Sequence, residues 1–473
     1  MTGRTKNLIL AAFLTLLYGC ATYHPEPIDG PAVKEALKPP AMEAVRIKAG
    51  AIRHPILRPV DFDISNGLSP DEAAVMAVIA NPALRAVRDL RGIAGAQIIQ
   101  AGILPNPRLS YSLDIPTGRD KEGADNGYGF GVGWDIQALV TRSARVDAAR
   151  THAASVDLDI AWQEWQVAEA AKLHLFRLFY LGRQLLLTKE AEQRLRETLE
   201  AVKKSVASGE KTDKDLAVAE MALQQAHASV LTTEKVREQE RLALNRTLGI
   251  PPDRIIPVQG DISLPSWRSL PSRAEIVKGI EGRRLDLLAL RMGYLSREAS
   301  VRAAILSQFP GISIGLNHAR DTGSIVTTGV EVSIDLPFFD HNQGNIAVER
   351  ATRKRLFDEY IARLFKARSE VAVILSEMKF LRKELSATAG SLPVLKNLTQ
   401  TYRRALEQGS TDLVSYYRVQ NELTAKQLKI IKLRQLLSDM GVALEVAAGE
   451  YLPGTKGVSP ALPAKAGNGK EPE

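Results

Sequence analysis

One cysteine in 473 residues rules out a disulfide-stapled fold. Groupings that would carry chemistry are missing too: there is no glycine-rich phosphate loop, no nucleophile elbow and no sign of ATP use. The seven histidines, His24, His54, His152, His174, His227, His318 and His341, are dispersed, and no pair has ligand spacing on a helix face. His341 beside Asp340 reads as a solvated loop pair, and scattered methionines form no soft-metal ladder. No catalytic residue, metal site or cofactor is therefore expected. The net charge of +8 would suit nucleic acid, but acidic residues interleave with the basic ones where a binding face would need them clustered. Nucleic acid is excluded as a partner.

What the chain does have begins at its N-terminus. A polar start with Arg4 and Lys6 precedes an apolar run from Leu8 to Leu17, too short to cross a bilayer as a permanent helix. Residues 1–19 read as a secretory signal peptide. The following Leu17-Tyr18-Gly19-Cys20 resembles the lipobox of bacterial lipoproteins, which implies that Cys20 is acylated and tethers the protein to a membrane. Residues 20–68 are then expected as an extended N-terminal segment.

The remainder is a twofold repeat. Ser69-Pro70-Asp71-Glu72 returns as Ser272-Arg273-Ala274-Glu275, each a capping box, and Pro105 returns as Pro310. Asp135 returns as Asp335, and Gly209 before Asp215-Leu216 returns as Gly409 before Asp412-Leu413. Repeats over 69–249 and 272–452 result, joined by a Pro-rich connector over 250–271; residues 453–473 read as a disordered tail.

Each repeat reads helix, β-hairpin, very long helix, turn, return helix. The hairpins fall at 108–137 and 311–337, the long helices at 141–208 and 343–408, and the return helices at 212–248 and 411–449. Leu109, Tyr111, Leu113 and Ile115 alternate with Ser110, Ser112 and Asp114; Tyr128, Phe130, Val132, Trp134 and Ile136 alternate with glycines and Asp135. The second hairpin repeats the pattern, with Asn317, Glu331, Ser333 and Asp335 opposite an aliphatic set. Strands of this length cross a bilayer at a tilt, though alternation alone equally fits two half-buried hairpins of a soluble sheet.

The helices decide between these. Residues 141–208 hold no proline and one glycine, Gly182, so an unbroken helix would be about 100 Å long, deeper than any globular core. Leu195, Leu199, Val202 and Val206 form a coiled-coil seam, answered by Leu216, Ala219, Leu223, Ala226 and Val230. Glu190/Arg194, Glu192/Arg196 and Glu200/Lys204 are expected as exposed i,i+4 pairs. In the second long helix Leu395, Leu398 and Tyr402 mark the seam, and Gly390 and Pro393 interrupt it, with a kink expected there.

Four strands cannot close on themselves, and an open sheet edge in lipid costs several kcal/mol per unpaired group. The chain must therefore associate, and a twelve-stranded homotrimer gives an open lumen where an eight-stranded dimer would be filled by side chains. The expected fold is a mixed α/β membrane protein: a long α-helical coiled-coil barrel continued by a transmembrane β-barrel with four strands per chain. A periplasmic coiled-coil scaffold lipoprotein without a pore is the alternative, and it leaves the strands unexplained.

From about Leu68 to Leu452 the chain resembles the TolC-type outer-membrane efflux ducts. The resemblance rests on the duplicated plan, on Ile103-Leu104-Pro105-Asn106-Pro107, on Leu336-Pro337-Phe338-Phe339-Asp340 and on the two Gly…Asp-Leu turns. The run from Phe339 to Ile346 is similar to the heavy-metal (CzcC/CusC-like) branch. The resemblance implies a passive exit duct in the outer membrane of a Gram-negative bacterium, reaching into the periplasm and partnered by a periplasmic adaptor and an inner-membrane RND-type pump. It also implies that the hairpin tips dock the adaptor, through Gly209, Asp215 and Leu216 and through Gly409, Ser410, Thr411, Asp412 and Leu413. The acidic pair that lines the entrance in some relatives is replaced by Ser415 and Arg418, so a gate contact from Asp215 to Arg404 or Arg418 is expected instead.

Overall fold

The computed structural model describes residues 22–117, 123–260, 262 and 270–452. The expected signal peptide 1–19, Cys20 and the expected tail 453–473 lie outside the described residues, as do parts of the first hairpin loop and of the connector. Two compact units divide at Pro40. The first contributes helix α1 (Gly30–Ala36), whose N-cap Asp29 accepts a hydrogen bond from the Ala32 amide.

The second unit, from Ala41, carries everything else. Before the first repeat lies α2 (Met42–Gly50), then a 3₁₀ turn at Ile64–Asn66, so the segment expected to be extended is helical in part. Its Val45, Ala49 and Phe62 are buried against α3, which anchors it as an extended peptide could not.

The first repeat opens with α3 (Pro70–Ala80) and α4 (Pro82–Gly102) where one helix was expected. Asn81 divides them. Its amide closes α3 on Ala77 and its side chain caps α4 by accepting from the Ala83 amide, while Pro82 takes the first helical position where no amide donor is needed. Next come β1 (Arg108–Asp114), β2 (Gly127–Asp135), α5 (Gln137–Ala207) and α6 (Asp213–Leu248). The second repeat has short α7 (Arg273–Val277) and α8 (Ile280–Arg283), then α9 (Leu285–Leu306), β3 (Ile312–Arg320), β4 (Val326–Ile334), α10 (Gln343–Glu407) and α11 (Leu413–Ala448). Both expected capping boxes are formed, at Ser69/Glu72 and Ser272/Glu275.

Helix α5 has 71 residues, about 105 Å at 1.5 Å per residue. Helix α10 runs through Gly390 and Pro393 over almost the whole span expected of it. Proline removes one donor from the ladder, and Ala389, whose carbonyl loses that donor, is exposed to water. No helix among the described residues is long and apolar enough to cross a membrane.

The repeats bury equivalent cores. Met76, Leu175, Phe176 and Leu248 pack α3, α5 and α6 together; Ile280, Val371, Met378 and Leu444 do the same for α8, α10 and α11. A third cluster around Trp162 and Trp165 reaches from α5 to Leu285 of α9 and so joins the repeats. Each fully buried large side chain here contributes about 1.5–3 kcal/mol.

Charge is buried beside that junction. Lys172 Nζ lies 3.1 Å from Glu169 Oε1, 3.5 Å from Asp71 Oδ1 and 4.0 Å from the centroid of the Tyr451 ring. Glu445 of α11 is buried in the same group and accepts a hydrogen bond from the Leu452 amide. Burial pushes the Glu169 carboxyl up to about 8, against the pull of Lys172 and with the help of Glu445. Desolvation works against the Lys172 ammonium, but Glu169, Tyr451, Glu445 and Asp71 together hold its proton above the ordinary lysine range.

Candidate channel wall and hairpin tips

The four strands form one antiparallel sheet in the order β1-β2-β3-β4, so the hairpins of the two repeats join through β2 and β3. Register sorts the side chains without exception in the middle of the sheet. Tyr111 faces Phe130, Leu109 faces Val132, Val132 faces Leu316, Trp134 faces Ile314, Ile314 faces Val332 and Leu316 faces Val330. These residues share a face because side chains alternate with period 2, and each is exposed in the single chain; Leu316 is 63% and Val330 71% accessible. An apolar area this wide and bare marks a surface made to be covered.

The opposite face pairs small and polar groups. Ser110 stands opposite Gly131, Ser112 opposite Gly129, Gly131 opposite Asn317, Asp135 opposite Ser313 and Gly315 opposite Glu331. Every other residue of β2 up to Gly133 is glycine, and a Cβ at Gly129 or Gly131 would meet the hydroxyl of Ser112 or Ser110 at 2.6 Å. The polar residues of the expected alternation, Ser110, Ser112, Asp114, Asn317, Glu331 and Ser333, lie on this face, and Asp335 directly follows the end of β4. At the far end of the sheet the apolar face gives way to Arg320, His318 and Thr328, and Arg320 pairs with Asp125 of the other hairpin loop, tying the two loops together. At the near end Trp134 Nε1 donates to the Pro105 carbonyl and Gln137 Nε2 to the Phe309 carbonyl, which fixes how each strand leaves its helix. Neither β1 nor β4 has a partner on its outer side within the chain among the described residues.

The long helices meet their return helices at two tips. Gly209 and Gly409 sit at φ 77° and 72°, the left-handed region that glycine enters without strain, and the amides just after them close back on Ser205 and Ala405. In the first tip Asp215 receives bonds from the Thr212 amide and hydroxyl, at 3.0 and 2.7 Å. In the second Asp412 receives them from the Ser415 amide and hydroxyl, at 2.8 and 2.7 Å. The helices start at Asp213 and Leu413, so the N-cap Asp412 corresponds to Thr212 and not to Asp215. One cap is Thr-x-x-Asp, a reciprocal box in which Thr212 also accepts from the Asp215 amide; the other is Asp-x-x-Ser, in which Asp412 alone accepts. Donation from the Thr212 amide holds the Asp215 carboxyl below the usual carboxylate range, and donation from the Ser415 amide does so for Asp412.

Asp215 is committed to its cap, and within one chain it is not joined to Arg404 or Arg418 among the described residues. Leu216 and Leu413 both pack into the cluster that holds the hairpins together, with Leu195, Leu199 and Val202 of α5 and Ala219 of α6. Ser410 bonds through its amide and hydroxyl to the Ala405 carbonyl, and Thr411 is half-buried. Tyr416 and Tyr417 join that cluster and were not anticipated, although Leu413, Tyr416, Tyr417 and Gln420 fall at helical spacing on one face. The Tyr417 hydroxyl is buried with no hydrogen-bond partner among the described residues, and burial pushes it up to about 12. Of the exposed ion pairs, Glu190/Arg194 and Glu192/Arg196 are formed, while Glu200 pairs with Lys203 in place of Lys204. Leu398 is 43% exposed and leaves the seam to Tyr402 and Leu406. No group of three or more His, Cys, Asp or Glu able to hold a metal ion occurs among the described residues.

Residues 277–450 match the outer membrane efflux protein family. A relative, the cobalt-zinc-cadmium resistance protein CzcC of Cupriavidus metallidurans, is 24% identical over 271 residues, which are 56% of this chain and 62% of the relative. The chain thus spans less than two thirds of the length of that relative. Among solved structures, CusC superposes with a TM-score of 0.66 at 16% identity, covering 84% of this chain and 98% of its own. VceC of Vibrio cholerae gives 0.67 at 17% identity over 81% and 96%. The CmeC outer membrane channel of Campylobacter jejuni gives 0.68 at 14% identity over 93% and 95%. These likenesses establish a shared fold.

Proposed function

We propose that this chain, a TolC-type outer membrane efflux protein by its fold and by the sequence of its second half, is the passive exit duct of a tripartite efflux system. The observation that carries the reading is the sheet: one face is apolar and exposed through its middle, the other small and polar, and both outer edges are unpaired among the described residues. Three copies joined β1 to β4 would satisfy every edge and close a twelve-stranded barrel with the glycine-rich face around water. The long helices would continue the wall into the periplasm. Cys20 would carry the lipid anchor. A periplasmic adaptor would dock on the tips around Gly209 and Gly409 and connect the duct to an inner-membrane RND-type pump. The likeness to CzcC favours heavy-metal ions as the cargo over small organic compounds.

The test is direct. Purified full-length protein should run as a heat-modifiable trimer in detergent and add stable conductance steps to a planar bilayer. A solitary, non-conducting molecule would support the scaffold reading and remove this one.

The tips give a second test. Asp215, with Arg404 and Arg418, is proposed to restrain the closed entrance. Asp215→Ala removes the carboxylate of the capping box, at a local cost of about 1 kcal/mol, and should raise resting single-channel conductance. Unchanged conductance would count against a gating role and leave Asp215 as a cap alone.

A further inference from the structure

The stretch between α2 and α3 is fastened to the long helix α5 by one imidazole. The His54 side chain is 2% exposed. Its Nε2 lies 2.9 Å from the Ala161 carbonyl oxygen, which can only accept, so Nε2 carries a proton. Its Nδ1 lies 3.0 Å from both the Ile56 and the Leu57 amides, which can only donate, so Nδ1 carries none. The two amide bonds therefore require an unprotonated Nδ1, whereas the bond to Ala161 is made in either charge state. The partners of the two ring nitrogens settle the tautomer without reference to any hydrogen position.

The fastening matters for the core next to it. Leu57 is 3% exposed in the cluster that contains Val78 of α3, Trp162 of α5 and Leu285 of α9. The bracket thus touches both repeats at their junction. The charges around it are mixed. Glu164 of α5 approaches Nε2 at 3.8 Å, but its other oxygen is taken by Arg88 Nε of α4 at 2.6 Å. Arg91 of α4 is paired with Asp157 of α5, and Lys48 of α2 and Arg53 of the bracket line the cavity beside the ring; α3 presents Val78 and Ile79 there and no charge. Burial holds the imidazole below its usual value; the Ala161 carbonyl and Glu164 oppose this, and Arg88 and Arg91 reinforce it.

We propose that His54 is an acid-released latch: a solvent proton added at Nδ1 breaks both amide bonds to Ile56 and Leu57 and opens the turn over residues 54–57, unseating Leu57 from the junction between the repeats while Nε2 stays bonded to Ala161 of α5. The neutral ring is favoured in the folded chain, so the fastening is at full strength above the ordinary histidine value of 6.5 and weakens as pH falls below it.

Hydrogen exchange on the full chain in detergent micelles tests this, with rates corrected for their intrinsic pH dependence. Between pH 7.5 and pH 5 the amides of Ile56 and Leu57 should lose protection by about tenfold or more, while amides of α5 around Leu175 keep theirs. His54→Asn retains an acceptor near the Nδ1 position without a titrating proton and should hold protection constant across the same range. Equal protection of the wild-type amides at both pH values overturns the proposal, whether or not the Asn variant assembles. So does a His54→Asn profile that falls in parallel with the wild type.

Discussion

Leu316→Arg is expected to abolish the heat-modifiable oligomer in the outer-membrane fraction, whereas Asn317→Arg, one residue along the same strand, leaves it assembled. Leu316 stands in the middle of the apolar face between Val132 and Val330. An arginine there would meet hydrocarbon at a cost of about 2–4 kcal/mol per chain near the bilayer midplane, incurred in every copy of the assembly. Asn317 stands between Gly131 and Gly329, where a long side chain finds space and water. The substitutions share residue type, strand and depth, so propensity and expression affect them alike. Extraction followed by unheated gel electrophoresis reads the outcome. Equal assembly of both variants would mean that the apolar face does not lie in lipid, and the duct reading would fail with it.

The second large effect concerns Glu169. Its carboxyl keeps its proton up to about 8 in the folded chain but ionises near 4.5 when unfolded, so stability declines as pH rises through that window. Glu169→Gln keeps the shape of the protonated acid and has no proton to lose. The variant should therefore be more stable than the parent by about 1–3 kcal/mol at pH 8, with the two converging towards pH 5. Lys172 still has Asp71 at 3.5 Å and Glu445 nearby, so the substitution does not strand the ammonium. Thermal melts of the detergent-solubilised chain at both pH values give the comparison. A loss of stability at pH 8 would show an ionised Glu169 held by Lys172 and would reverse the assignment of the proton.

Periodicity made much of this fold readable from composition and spacing. Long apolar seams placed α5, α6, α10 and α11 within a few residues of their ends, and strict alternation placed both faces of the sheet. What escaped depends on single contacts that periodicity does not encode. One helix was expected at the start of the first repeat, yet Asn81 divides it, its side chain capping α4 and donating to the Thr247 carbonyl. Pro393 lies inside the 65-residue helix, where one absent donor on a solvated face does not end it. At the tips the Asp-Leu pairs suggested an alignment of Asp215 with Asp412, three residues out of step with the helix starts; caps are set by geometry, and Thr or Asp serves equally as the acceptor. His54 was legible only as one of several dispersed histidines. Its partners are two neighbouring amides and a carbonyl 107 positions away, none of which has a side-chain signature.

The alternate glycines of β2 carry a consequence for what such a passage could do. Beside a strand that offers only peptide backbone to its polar face, a solute would meet the short hydroxyls of Ser110 and Ser112 and the amide of Asn317, and nothing bulky enough to refuse it. In a duct of the kind proposed, discrimination would have to be finished before cargo arrived at that stretch.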